Sequence, residues 1–135
     1  MHQYNFTSRT AIVTGGAQGF GLDIAKKFLK FGASKVIIWD IDEEELKKAI
    51  KEVNNSNLFY DVVDISNFES VNDAVNKIIK LSNIDILVNN AGITGSTSEL
   101  WNYDVKEWYK IIAINLNGTF NCCKSVVPNM IKNNY

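Results

Sequence analysis

Proline, arginine and histidine each occur once in these 135 residues, and cysteine occurs twice. The two cysteines, Cys122 and Cys123, are sequence neighbours. Adjacent cysteines rarely bridge each other, and neither stands at metal-ligand spacing from a partner. A disulfide scaffold and a cysteine-held metal are therefore excluded, leaving small buried or half-buried thiols in a reducing compartment. No apolar run approaches the roughly 20 residues that span a bilayer, so no membrane partner is expected. The opening MHQYNFTSRT lacks the apolar stretch of a secretory leader, and the cytoplasm is the expected compartment. Fourteen basic against fifteen acidic residues give a net charge of −1, with no basic stripe for nucleic acid.

What the chain does contain is 46% hydrophobic and 21% charged residues, the composition of a soluble domain large enough for a real core. Four short apolar runs recur: TAIVT (10–14), KVIIWD (35–40), LFYDVVD (58–64) and DILVNN (85–90). The first, second and fourth are continuous rather than alternating, the pattern of strands buried on both faces. Helical stretches lie between them. In 20–31, Leu22, Ile24, Ala25, Phe28 and Leu29 share one face, while Lys26, Lys27 and Lys30 form a solvated one. Asp42 and Ser66 each stand three residues before a glutamate, Glu45 and Glu69, the spacing of an N-cap with a carboxylate that reaches back. Asp104 with Glu107 begins a fourth helix in the same way. Strand and helix alternating at this spacing give right-handed βαβ units and a parallel sheet, an α/β doubly wound fold of the Rossmann type. No repeat, linker or low-complexity tract interrupts the chain, so residues 1–135 read as one domain.

The stretch VTGGAQGFG, residues 13–21, places four glycines directly after the first strand. A parallel strand ending in such a turn delivers the chain to a helix N-terminus, where free N–H groups and the helix dipole favour an anion. Gly15 and Gly16 are expected to admit φ values that a Cβ resists. Gly19 admits close backbone approach to a pyrophosphate, and Gly21 lets the helix pack tightly on the strand. No Gly-Lys-Ser/Thr follows, which excludes the triphosphate-binding P-loop. A plain turn is the alternative, and Asp40 weighs against it. Asp40 ends the second strand nineteen residues past Gly21, where a carboxylate can accept hydrogen bonds from ribose 2′- and 3′-hydroxyls. A 2′-phosphate there would meet like charge, and Arg9, the sole arginine, precedes the first strand. NAD is the expected cofactor, NADP the less favoured one. Asp40 could instead cap the following helix, but Asp42 is better placed.

These residues resemble the short-chain dehydrogenase/reductase family, in its classical subgroup. TGGAQGFG, residues 14–21, matches that family's Thr-Gly-x-x-x-Gly-x-Gly at every fixed position, with Phe20 where Ile is usual. NNAG, residues 89–92, matches its Asn-Asn-Ala-Gly motif. The resemblance implies that Thr14 is structural and that Phe20 lies near the nicotinamide end. Gln18 stands where NADP-using relatives often carry Arg or Lys, a second pointer to NAD. By the same resemblance Asn89 ties the fourth strand to its neighbour, Asn90, Ala91 and Gly92 border the adenosine ribose, and Ile41 joins Asp40 at the cofactor. Asp64 in VVDIS would hydrogen-bond the adenine, with Ile65 lining the same pocket. Asn115 in IIAINLNG would be the catalytic asparagine that helps hold a relay water. Plainer alternatives stand beside these: NN as a strand-ending turn, Asn115 as a tolerated mid-helix residue. From the residues alone, Asn117-Gly118 reads as a turn and Pro128 as a kink or stop, whereas the resemblance makes the segment helical.

The chemistry implied is hydride transfer between a nicotinamide and a carbonyl or alcohol carbon of a small molecule. The family's Ser and Tyr-x-x-x-Lys would fall beyond Tyr135. Tyr60, Tyr103 and Tyr109 offer no substitute, and neither does His2, the lone histidine. The chain is therefore expected to be the N-terminal, cofactor-holding part of a longer enzyme, cut after the fourth strand and its following helix. The fourth strand would then be left as a sheet edge, and the full-length form is expected to be a homo-oligomer. GFGLDIAKKF, NNAGITG and INLNGTF look most like 3-oxoacyl-[acyl-carrier-protein] reductases. Trp101, in the loop 93–104, could serve a substrate pocket or pack in the core. The alternative reading is a non-catalytic dinucleotide-binding module. A methyltransferase with a similar glycine loop is disfavoured by TGGAQGFG and NNAG together.

Overall fold

Each apolar run becomes a strand in the computed structural model, which describes residues 4–135 and leaves His2 outside. β1 (Thr10–Thr14) and β2 (Lys35–Asp40) fill their runs residue for residue. β3 (Leu58–Val62) and β4 (Ile86–Val88) are shorter than theirs. All pair in parallel, in the order β3-β2-β1-β4. β1 is buried throughout because it has a strand on either side and helices on both faces. β4 is a sheet edge in this chain and half-buried.

Helices α1 (Gly19–Lys30), α2 (Glu43–Val53) and α3 (Phe68–Ile79) connect the strands. Successive strand residues point to opposite faces, which divides the core in two. Val13, Val36 and Ile38 pack with Leu22, Ala25 and Leu46 of α1 and α2. Ile12, Ile37 and Trp39 pack with Val71 and Val75 of α3 and with Cys122 and Val126 further on. In the lysine cluster, Lys26 reaches Glu52 on α2 at 2.6 Å, and Lys27 and Lys30 are exposed. Asp42 caps α2, its carboxylate accepting from the Glu45 N–H at 3.0 Å. α3 starts one residue later than expected: Asn67 is the cap, accepting from the Glu69 and Ser70 N–H groups. Ser66 instead donates its hydroxyl to Asp64 at 2.6 Å.

Beyond β4 the chain runs through a 3₁₀ turn (Leu100–Asn102) into α4 (Val105–Ile112), a π-helical segment (Ala113–Gly118) and α5 (Thr119–Lys132). The last three form one uninterrupted helix, so Asn117-Gly118 is helical and the helix continues through Pro128 to Lys132. α5 packs on α3 and buries Asn121, Cys122 and Val126, whereas α4 buries nothing. Burial pushes the Cys122 thiol up to about 12, and both cysteines are free. Trp101 is 81% exposed and packs in no core. Among the described residues no helix is long and apolar enough to cross a membrane, and no three metal-ligating side chains gather.

Candidate functional site

A cleft of about 490 Å³ opens over the carboxyl ends of the strands. Its walls come from the turn after β1 (Gly15, Gln18), the end of β2 (Trp39, Asp40, Ile41) and the segment after β3 (Val63 to Ser66). The segment after β4 (Asn90 to Ile93) and the helix beyond (Lys110, Ala113, Ile114) complete them. The sheet order turns back at β1, which pairs with β2 on one side and β4 on the other. Such a switch point is where doubly wound sheets open a crevice for ligands.

Thr14 holds the two lips together. Its hydroxyl accepts from the Asn90 N–H (3.1 Å) and the Ala91 N–H (3.0 Å) and donates to the Val88 carbonyl (3.3 Å). Asn90 returns the bond, its Nδ2 donating to the Thr14 and Gly15 carbonyls at 3.0 and 3.1 Å. The tie expected of Asn89 therefore belongs to Asn90, while Asn89 reaches the Cys123 sulfur at 3.4 Å.

Within the glycine loop the positive φ values fall at Gly15 (61°) and Gly19 (55°), so Gly19 rather than Gly16 shares that role. Gly16 is required for a different reason: a Cβ there would stand 2.6 Å from the Ile38 Cβ. At Gly21 a Cβ would overlap the Gly15 carbonyl oxygen, as close helix–strand packing demands. Nothing lies within 4 Å of the space a Gly19 Cβ would take. α1 carries no side-chain cap and no acidic residue in its first turn, so its leading N–H groups suit a phosphate.

Asp40 is held in place by its neighbours. Its Oδ1 accepts from the Ile41 N–H at 2.8 Å and the Asp42 N–H at 3.3 Å, and its Oδ2 accepts from Ala17 at 3.4 Å. Arg9 is engaged at the other end of the sheet, 3.3 Å from Asp85, which also accepts from the Thr10 N–H. The cation at the cleft is Lys110 instead, a residue with no sequence signal of its own. Asp64 accepts the Ser66 N–H (2.9 Å) and hydroxyl on one oxygen. Ile65 is fixed through its carbonyl, which accepts from the buried Asn121 Nδ2 at 2.9 Å. Gly118 admits this approach, since a Cβ there would press on the Ile65 side chain at 2.6 Å.

Asn115 sits in the π-helical segment and engages the loop after β4 at Ile93. A second latch closes further along. Glu107 does not reach back to its own helix start; it accepts the Ser96 N–H at 2.9 Å and the Ser96 hydroxyl at 2.5 Å. Those two bonds hold its carboxyl below the ordinary value of 4.5. Asp104 caps α4 alone, accepting from the Lys106 N–H. Phe20 is not part of the cleft lining: it is 84% exposed, beside an apolar hollow formed with Tyr4, Phe6 and Phe31.

Strand order, glycine loop and cleft define a Rossmann-type α/β domain. Residues 9–135 match the short chain dehydrogenase family, and the chain belongs to it. It is 36% identical over 131 residues to the 2-dehydro-3-deoxy-L-rhamnonate dehydrogenase (NAD(+)) of Sphingomonas sp. (strain SKA58), covering 96% of this chain and 51% of that protein. It is 40% identical over 129 residues to the 3-oxoacyl-[acyl-carrier-protein] reductase FabG of Chlamydia muridarum (strain MoPn / Nigg), covering 93% and 51%. The serine dehydrogenase from Escherichia coli superposes with a TM-score of 0.85 at 30% identity, over 93% of this chain and 58% of that one. The chain thus spans about half the length of the two enzymes it matches in sequence.

Proposed function

We propose that this chain is the dinucleotide-holding part of an oxidoreductase that moves a hydride between a nicotinamide and a carbonyl or secondary-alcohol carbon. The observation that carries the reading is one cleft lined together by Gly15, Gln18, Asp40, Asp64 and Asn90 to Gly92, from four different strand ends. In this reading the pyrophosphate rests on the first turn of α1 against Gly15, Gly16 and Gly19, with Gly21 and Thr14 holding the loop in shape and Phe20 flanking it. Asp40, beside Ile41, accepts from the ribose hydroxyls. Asp64 and Ile65 take the adenine, and Asn90, Ala91 and Gly92 border its ribose. When bound, the nicotinamide supplies the hydride chemistry; the chain's own residues bind, orient and exclude water.

NAD is the proposed cofactor. The Asp40 carboxylate would repel a 2′-phosphate, Gln18 offers it no charge, and Arg9 is paired with Asp85. Asn115 is the proposed catalytic asparagine, steadying a relay water from the π-helical segment. Residues 1–135 contain no Tyr-x-x-x-Lys, so binding without turnover is proposed for the chain alone. For the whole enzyme the resemblance to 3-oxoacyl-[acyl-carrier-protein] reductase FabG and to a sugar-acid dehydrogenase favours a small 3-oxoacyl or hydroxy-acid substrate. A cytoplasmic homo-oligomer is proposed, its contact face the exposed Trp108, Leu116, Phe120 and Ile131 along α4 to α5.

Titrating NADH and NADPH separately against the purified chain tests the reading. The expected result is saturable NADH binding with NADPH at least about tenfold weaker. Equal affinities remove the NAD preference. No binding of either by a cooperatively folded chain removes the reading itself.

A further inference from the structure

Three polar residues are buried among those described: Thr10 and Thr14 on β1, and Asn121 on α5. Thr14 joins the lips of the cleft. Asn121 reaches out of its helix to the segment after β3, its Nδ2 donating to the Ile65 carbonyl at 2.9 Å. That carbonyl shares a peptide plane with the Ser66 N–H, which donates to Asp64 Oδ1 at 2.9 Å. The plane is rigid and trans, so holding its carbonyl end sets the direction of its N–H end. Two hydrogen bonds and one rigid plane therefore connect a buried amide on α5 to an exposed carboxylate on the cleft wall. The Ser66 hydroxyl meets the same oxygen, which leaves Asp64 Oδ2 free to accept from a ligand. Asn121 itself is not among the residues that line the cleft.

We infer that Asn121 is a positioning residue for adenine recognition: through the Ile65–Ser66 peptide it sets the Asp64 carboxylate to accept the 6-amino group of the bound purine. An ionised carboxylate can only accept, and the 6-amino group is the hydrogen-bond donor that the adenine ring offers. The site then prefers adenine to hypoxanthine, and the preference depends on a side chain that never touches the ligand. The inference rests on the dinucleotide reading above.

Equilibrium titrations of the chain with NADH and with reduced nicotinamide hypoxanthine dinucleotide test it, since the second carries an oxygen in place of the 6-amino group. Wild type is expected to bind NADH about tenfold tighter, the size of a hydrogen bond to a charged group. Asn121→Leu keeps the side-chain volume and deletes the donor, and is expected to bring the two affinities within about twofold of each other. A general loosening of the fold would weaken both dinucleotides alike and keep their ratio. A folded Asn121→Leu that retains the wild-type ratio, or a wild type that binds both equally, overturns the inference and leaves the dinucleotide reading standing. Should the variant misfold, the side-chain ¹⁵N–¹H signals of Asn121 in wild type decide. Movement with NADH and none with nicotinamide mononucleotide upholds the inference, and any other pattern overturns it. A folded wild-type chain that binds neither dinucleotide removes both readings.

Discussion

The Asn115 carboxamide brackets the backbone of one residue: its Oδ1 accepts from the Ile93 N–H and its Nδ2 donates to the Ile93 carbonyl, both at 2.9 Å. A helix and a loop are thereby locked at a residue that lines the cleft. The bracket sits in a six-residue π-helical segment, a distortion that often marks functional positions. Asn115→Ala removes both bonds and is expected to lower stability by about 1–2 kcal/mol. Asn115→Asp keeps the acceptor but sets a carboxylate against the Ile93 carbonyl, and is expected to be no better at neutral pH. Thermal melts of the two variants check this; melting points equal to wild type would mean that the bracket contributes nothing.

The glycines of the loop separate stability from binding. At Gly21 a Cβ would overlap the backbone of Gly15, so Gly21→Ala is expected to destabilise the fold by about 1–3 kcal/mol. At Gly19 the Cβ meets open space and strains only a φ of 55°, so Gly19→Ala is expected to cost about 1 kcal/mol. That open space is where the pyrophosphate is proposed to approach. Gly19→Ala should therefore lose NADH affinity out of proportion to its melting point. Paired melts and titrations expose the pattern, and equal behaviour of the two variants contradicts it.

Asp40→Asn preserves the shape of the side chain and removes its charge. NADH binding is expected to weaken about tenfold, as loss of a charge-assisted hydrogen bond implies. NADPH, no longer repelled, should bind as well as NADH or better. An unchanged ratio of the two affinities would place the preference elsewhere, with Lys110 the next residue to vary.

Much of the fold was legible from hydrophobic runs alone. β1 and β2 coincide with TAIVT and KVIIWD because in each an unbroken apolar run is bounded by polar residues, Thr10 and Thr14 in one and Lys35 and Asp40 in the other. The misplacements occur where two neighbours offer the same chemistry. Ser66 and Asn67 can each cap α3, and the choice falls to Asn67 once Ser66 serves Asp64. Asn89 and Asn90 are alike in sequence, and only the direction of the chain after β4 decides which faces Thr14. Trp39 and Lys110 were not legible as cleft residues, because their place depends on how strand ends and α4 converge in space. The Glu107 to Ser96 latch was hidden behind the capping-box spacing that Glu107 shares with Asp104.

That latch is expected to respond to pH. The Glu107 carboxyl is held below 4.5 by the Ser96 hydroxyl and amide. A carboxyl depressed in the folded state contributes stability that is present above its unfolded value and lost as pH falls through its folded value. Hydrogen-exchange protection of the Ser96 N–H, corrected for intrinsic rate, should therefore decline as pH falls below the ordinary glutamate range. Glu107→Gln should flatten that profile; a wild-type profile already flat there would show that the carboxylate does not hold the loop.

The central claim, that the cleft over β1 and β4 holds an adenine dinucleotide, is tested most directly by backbone amide NMR during titration with NAD⁺. The largest shifts are expected at Gly15 to Gly21, Asp40 and Ile41, Asp64 and Ile65, and Asn90 to Gly92. Saturable shifts confined instead to Tyr4, Phe6 and Phe31, or none in a folded chain at millimolar NAD⁺ (on the order of the weakest specific affinities), would contradict it.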